Sequence, residues 1–123
     1  IRMPWDFRPD IPIYTQLIDQ IQRQMVTGQL APGDRLPSVR DLATQAGVNP
    51  NTMQRALTEL ERRSLVYSQR TSGRFVTEDG TVIQKLKEDT ARTQVRDFLA
   101  GMAQLGLTLD EILSLIQTEG EPI

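Results

Sequence analysis

Two short amphipathic stretches joined through a glycine, then a short arginine-bearing hairpin, predict a mainly α fold. The expected architecture is a winged helix-turn-helix of three helices and a β-hairpin wing, followed by a C-terminal two-helix tail. The first stretch runs from Ser38 to Ala46, the turn holds Gly47, and the second, the helix expected in the major groove, runs over 50–63 after its cap Asn49. Leu65-Val66-Tyr67 and Phe75-Val76 bracket the hairpin, which turns through Arg70-Thr71-Ser72-Gly73. In such a fold one helix enters a DNA major groove and the wing meets the phosphates.

The chain opens on an extended arm over residues 1–11, with Pro4, Pro9 and the aromatics Trp5 and Phe7 placed to pack on the first helix. From Pro12 onward, Tyr14, Leu17, Ile18, Ile21 and Met25 recur at helical spacing and give one apolar face. Pro12 suits the first helical position, Asp10 lies near the cap, and Gly28 suits the left-handed residue that ends a helix. The connector from Leu30 to Pro37 bends at Pro32-Gly33 and lets Arg35-Leu36 form a short strand. Ser38 caps the second helix, and Asp41 in its first turn favours the positive helix end. Val39, Leu42, Ala43 and Ala46 form the inner face of that helix, which Gly47 stops.

Asn49 caps the third helix and Pro50 takes its first position, where the missing N–H costs nothing. Met53, Ala56, Leu57 and Leu60 repeat at i, i+3, i+4 and i+7, which turns Asn51, Gln54, Arg55, Thr58 and Arg62 outward. Past Gly80, Ala91, Val95, Phe98, Leu99, Met102 and Ala103 make a further helical stripe. Thr108-Leu109-Asp110-Glu111 is a capping box, with Leu107 and Ile112 as its hydrophobic staple. Leu109, Ile112, Leu113 and Ile116 form the last apolar face. These faces exceed what a core of this size needs. The tail is therefore expected to dimerise through Val95, Phe98, Leu99, Met102, Leu109, Ile112, Leu113 and Ile116, with packing on the winged domain as the alternative. The expected division is a DNA-binding domain over 1–78 (helix-turn-helix about 38–62, wing about 65–77) and a dimerisation tail over 79–123.

The 123 residues include no cysteine and no histidine. That excludes a disulfide framework and a thiolate metal site, and it removes the usual general base and the commonest metal ligand. Neither a catalytic cluster nor a cofactor or metal site is expected. No apolar run approaches the roughly 20 residues of a membrane span, and no signal-peptide pattern opens the chain. A cytoplasmic protein with no membrane partner is the expectation.

Net charge is −2, yet it is unevenly spread. Between Arg35 and Val76 seven arginines face three acids, a local balance of +4. From Asp79 onward four basic residues face eight acids, a balance of −4. Both lysines lie in that second part, so arginine alone serves the first. Its planar fork suits phosphates and guanine edges.

A helix-turn-helix needs a small residue midway along its first helix, a glycine in the turn and an apolar lock on the second. Ala43, Gly47 and Met53 meet those demands. An ordinary αα corner has similar spacing, but lacks the outward polar face, the arginines and the hairpin. Gln54 and Arg55 have bidentate reach to adenine and guanine edges, although Arg55 can instead pair with Glu59 at i+4. Asn51 and Thr52 occupy a first helical turn, where free backbone N–H groups draw a phosphate. Arg70 and Arg74 flank the wing turn and are placed for phosphates or the minor groove, while Arg62 and Arg63 read as solvated or structural.

These features together closely resemble the GntR family of bacterial transcription regulators. The resemblance is carried by Ile13-Tyr14-x-Gln16-Leu17, Pro32-Gly33-Asp34-Arg35-Leu36-Pro37-Ser38, Leu42-Ala43, Gly47-Val48, Asn49-Pro50-Asn51-Thr52, Ala56-Leu57, Leu60-Glu61 and Gly73-x-Phe75-Val76. It implies that Arg40 and the start of the recognition helix contact DNA while the wing supports them. The expected DNA-binding set is Ser38, Arg40, Asn51, Thr52, Gln54, Arg55, Thr58, Arg70, Thr71, Ser72, Gly73 and Arg74. Asn49-Pro50-Asn51-Thr52 with Gln54-Arg55, and the short helical tail, are similar to the YtrA-type subfamily.

Two positions depart from the family pattern. Ser64 stands where a glycine usually precedes the wing strand, and Thr71 replaces the first glycine of the wing. Only Gly73 is then free to take positive φ cheaply in that turn.

The expected function is a sequence-specific regulator, a repressor, that binds an inverted-repeat operator as a homodimer. Double-stranded DNA and a second copy are its expected partners. Any small-molecule effector is left open, since a tail of some 45 residues has little room for the usual 300–1,000 Å³ cavity. A protein-interaction module is the competing class, and the basic patch argues against it.

Overall fold

The computed structural model describes residues 5–120. Pro4 of the expected arm lies outside them. In order come α1 (Ile13–Val26), α2 (Val39–Ala46), α3 (Pro50–Arg62), β1 (Val66–Gln69), β2 (Gly73–Val76), α4 (Gly80–Gln104) and α5 (Leu109–Glu119). The architecture is mainly α with a two-stranded antiparallel sheet. The chain divides into two compact units, one through Lys87 and one from Glu88 onward. That division falls inside α4, past the expected boundary at residue 79, because Val82, Ile83 and Leu86 pack on the core of the first unit.

In the first unit the apolar stripes predicted for α1, α2 and α3 converge. Leu17, Ile21, Met25, Leu30, Leu42, Met53, Leu57, Leu60 and Val76 are all fully buried. Trp5 and Phe7 stack on each other, with centroids 5.9 Å apart, and cover this core from the arm. Pro12 is the N-cap of α1 rather than its first residue, and it offers no side-chain cap. The buried Gln16 ties the arm down instead: its amide donates to the carbonyls of Ile11 and Arg8, and its oxygen accepts from the Arg8 N–H. Asp10 pairs with Arg8 at 2.7 Å and does not cap.

The helix-turn-helix is set by local chemistry. Ser38 Oγ accepts from the Asp41 N–H at 3.1 Å, and Asn49 Oδ1 accepts from the Asn51 N–H at 2.7 Å. Between them Gly47 takes φ +70°, the left-handed conformation that a Cβ would strain. After α3 the chain closes a Schellman motif: Leu65 N–H donates to the Leu60 carbonyl and Ser64 N–H to the Glu61 carbonyl. The left-handed residue of that motif is Ser64, at φ +63°. The departure from glycine therefore leaves the backbone path intact and loads a side chain onto a glycine conformation.

The wing pairs Val66 with Val76, Tyr67 with Phe75, Ser68 with Arg74 and Gln69 with Gly73. Its turn is closed by the Ser72 N–H on the Gln69 carbonyl, one residue earlier than expected, and Gly73 follows at φ +104°. The expected strand at Arg35-Leu36 appears as a single bridge between Arg35 and Phe75. Around it, Leu36 N–H donates to the Arg74 carbonyl and Val76 N–H to the Asp34 carbonyl, both at 2.8 Å.

In the second unit Thr108 and Glu111 form the reciprocal capping box at the start of α5. Ile112 is buried, whereas Val95, Phe98, Leu105, Leu109, Leu113, Leu115 and Ile116 are between 42% and 74% exposed. Leu99 and Met102 are half-buried. Among the described residues no single helix is long and apolar enough to cross a membrane.

Holding a non-glycine residue left-handed costs about 1–2 kcal/mol, partly offset by the extra unfolded-state freedom of glycine. Ser64→Gly should therefore stabilise the protein by about 0.5–1 kcal/mol, and Ser64→Val should destabilise it. Chemical denaturation of the variants reads both signs, and a neutral or destabilising glycine would refute the strain.

Candidate nucleic-acid interface

Because α3 buries Met53, Ala56, Leu57 and Leu60, its other face is left to solvent. Asn51, Gln54, Arg55 and Thr58 are all exposed there, and Thr52 is half-buried. Gln54 Nε2 lies 3.5 Å from Thr58 Oγ1, one helical turn along. Ser38 and Arg40 are exposed at the start of α2, with the Ser38 hydroxyl already engaged as a cap. Arg70, Thr71 and Gly73 are exposed in the wing and Ser72 is half-buried.

Three of the seven arginines in this region are neutralised by partners. Glu59 is held by Arg62 at 2.6 Å and by Arg63 at 2.7 Å. Those hydrogen bonds, Arg62 first, lower its carboxyl to about 2. Glu61, in the last turn of α3, accepts from Arg74 and from the Ser68 hydroxyl, both at 2.6 Å. Burial opposes the charge on Glu61, yet these two donors outweigh it and keep its carboxyl below the ordinary value.

Arg74 is thus turned inward, with only 20% of its side chain exposed, unlike the outward wing residue expected from the sequence. The reason is strand periodicity: Arg74 and Val76 share a face, and Val76 is fully buried in the core. Ser68, its cross-strand partner, joins the same cluster.

Arg35, Arg40, Arg55 and Arg70 make no ion pair among the described residues, so their charge is uncompensated. Arg55 does not pair with Glu59; its guanidinium lies over the Tyr14 ring, 4.5 Å from the centroid. Arg35 belongs to the basic patch seen in the sequence but not to the DNA-binding set expected from it. It is exposed, and its guanidinium lies beside Gly73, where a Cβ would sit 3.4 Å from its Nε. The signal that could have found it is the short strand at Arg35-Leu36, which sets that side chain against the wing. An open groove of about 390 Å³ runs along α3, lined by Tyr14, Gln54, Arg55, Thr58, Glu59 and Arg62.

A depressed folded-state carboxyl contributes stability that is complete above its unfolded value and is lost as pH falls through the folded one. The Glu59 pairing should thus be complete above the ordinary glutamate value of 4.5 and lost as pH falls through about 2. A carboxyl-detected NMR titration should place the Glu59 midpoint near 2, whereas an unshifted midpoint would mean that both arginines are free.

Known proteins share these features. The profile of the "Bacterial regulatory proteins, gntR family" matches residues 13–76, which span α1 to the end of the wing. The chain is 43% identical over 112 residues to the uncharacterised HTH-type transcriptional regulator YhcF of Bacillus subtilis, covering 91% of this chain and 93% of that one. It is 34% identical over 108 residues to the HTH-type transcriptional repressor YtrA of the same organism, covering 87% and 83%. A solved GntR family transcriptional regulator from Listeria monocytogenes superposes with a TM-score of 0.84 at 38% identity, covering 91% of this chain and 98% of that one. With the helix-turn-helix, the wing and the uncompensated arginines in place, the chain belongs to the GntR family of DNA-binding transcription regulators.

Proposed function

We propose that the chain is a repressor that binds an inverted-repeat operator as a homodimer. The observation that carries the DNA-facing part is the division of the arginines. Glu59 and Glu61 neutralise Arg62, Arg63 and Arg74, while Arg35, Arg40, Arg55 and Arg70 keep their charge around the α2–α3 motif and the wing. In this reading α3 enters the major groove, with Gln54, Arg55 and Thr58 reading base edges. Asn51, Thr52 and the free N–H groups of the first turn hold a phosphate. Ser38 and Arg40 approach the same backbone from α2. Arg70, Thr71, Ser72 and Gly73 contact phosphates or the minor groove through the wing. Arg74 fixes the wing to α3 and makes no DNA contact. Repression is favoured by the likeness to YtrA, a relative described as a repressor.

The homodimer is favoured by the second unit. Its exposed Val95, Phe98, Leu109, Leu113 and Ile116 form more apolar surface than a solvated helix pair requires. Leu105 and Leu115 belong with them, while Ile112 serves the interior of its own protomer. A two-fold dimer would present two copies of α3 about one DNA turn, or a simple multiple, apart, matching an inverted repeat.

Sedimentation of full-length Phe98→Glu with Leu113→Glu tests the dimer. The pair should convert dimer to folded monomer and weaken operator binding far more than random-duplex binding. A doubly substituted protein that still dimerises would rule out this face.

The wing is tested by salt titration on full-length variants. Arg70→Ala should make the slope of log K against log salt shallower by about one unit, as expected for one lost phosphate contact. Arg74→Ala should destabilise the fold and leave the slope unchanged. The reverse pattern would return Arg74 to the backbone.

A further inference from the structure

We propose that Tyr14, which lies on α1 outside the helix-turn-helix, is a positioning residue that sets the Arg55 guanidinium for base recognition. This rests on the reading of Arg55 as a base contact and adds to it a residue on a different helix. Tyr14 is half-buried, packed against the core beside Ile13, so its ring is anchored. Arg55 Cζ stands 4.5 Å from the ring centroid, within the range of a cation–π contact. The acid one turn along α3, Glu59, would compete for Arg55, but it is saturated by Arg62 and Arg63.

The consequence follows from the shape of the guanidinium. The guanidinium lies over the ring, and contact with a π face engages no hydrogen-bond acceptor, so its N–H donors are left unspent. A ring therefore orients Arg55 without consuming the donors that a base edge needs. An ion pair with Glu59 would have used them. Anchoring also removes rotamer freedom before DNA arrives, which lowers the ordering cost of association.

The experiment uses the full-length protein. An operator is first enriched from random duplexes, then binding is measured by fluorescence anisotropy for Tyr14→Phe, Tyr14→Leu, Arg55→Ala and the Tyr14→Leu/Arg55→Ala pair. Phenylalanine keeps the ring face and should bind the operator as the parent does. Tyr14→Leu should lose roughly two- to fivefold on the operator, the range of an exposed cation–π contact, and nothing on random duplex. In the Arg55→Ala background the same change should have no effect. Sequence preference should relax at the base pair that Arg55→Ala relaxes.

Equal losses in both backgrounds, or equal losses on operator and random DNA, would make Tyr14 merely structural and overturn the proposal. Should Tyr14→Leu unfold, ring fluorination at position 14 keeps the shape while draining the negative face. Operator affinity should then fall stepwise with fluorine count, and no dependence on fluorine would overturn the proposal. Arg55→Ala without effect on operator binding is a separate failure. It would remove the base contact itself and this inference with it.

Discussion

A helix that buries residues at i, i+3, i+4 and i+7 has no choice about which side chains face outward, and that constraint governs α3. Met53, Ala56, Leu57 and Leu60 are all fully buried against α1, α2 and the wing. Their burial fixes the rotation of α3 about its own axis to within a fraction of a turn. The outward face then consists of Asn51, Gln54, Arg55, Thr58 and Arg62, whatever else the protein does. Removing methylene groups from this stripe costs about 2–5 kcal/mol for a buried leucine cut to alanine, and it also releases the rotation. Stability and recognition are held by the same four residues.

Electrostatics then sorts the outward residues. The net charge of −2 hides two separate arrangements. Toward the end of α3, acids and arginines neutralise one another at close range: Glu59 with Arg62 and Arg63, Glu61 with Arg74. Elsewhere around the motif arginines stand without acids. A polyanion approaching the first unit therefore meets charge at Arg35, Arg40, Arg55 and Arg70, and little at the far end of α3. Steering by a field of this kind is sensitive to salt, because exposed charges are screened over about 8–10 Å.

What the sequence made legible was local. Ser38, Gly47, Asn49-Pro50 and Thr108 with Glu111 each act within one helical turn, and each appears in the structure where spacing placed it. Most of the misses depend on pairings that the fold, rather than helical spacing, selects. Pro12 lies one position earlier than expected because Gln16, reaching back to Arg8, sets where α1 begins. Arg74 looked free until Val76 defined the face it shares. The Arg55–Glu59 alternative had a sequence-level answer: an acid N-terminal to its arginine is the better i,i+4 order, which favours Glu59 with Arg63. Nothing local announces the placement of Arg55 over Tyr14, since α1 and α3 meet only in the tertiary fold.

The backbone pairing of Asp34 and Leu36 with β2 has a consequence for how the wing comes into existence. A lone two-stranded hairpin is at best marginally stable in water. Here β2 is hydrogen-bonded on both edges, to β1 on one side and to the connector before α2 on the other. Joining connector to β2 closes a loop of about forty residues, whose entropy must be met before any contact rewards it. Two helices, α2 and α3, lie inside that loop, so their docking shortens the stretch of free chain that has to be closed. Once formed, it cannot peel away from the helices without also breaking the connector. The wing thereby depends on the segment before α2 as much as on its own turn.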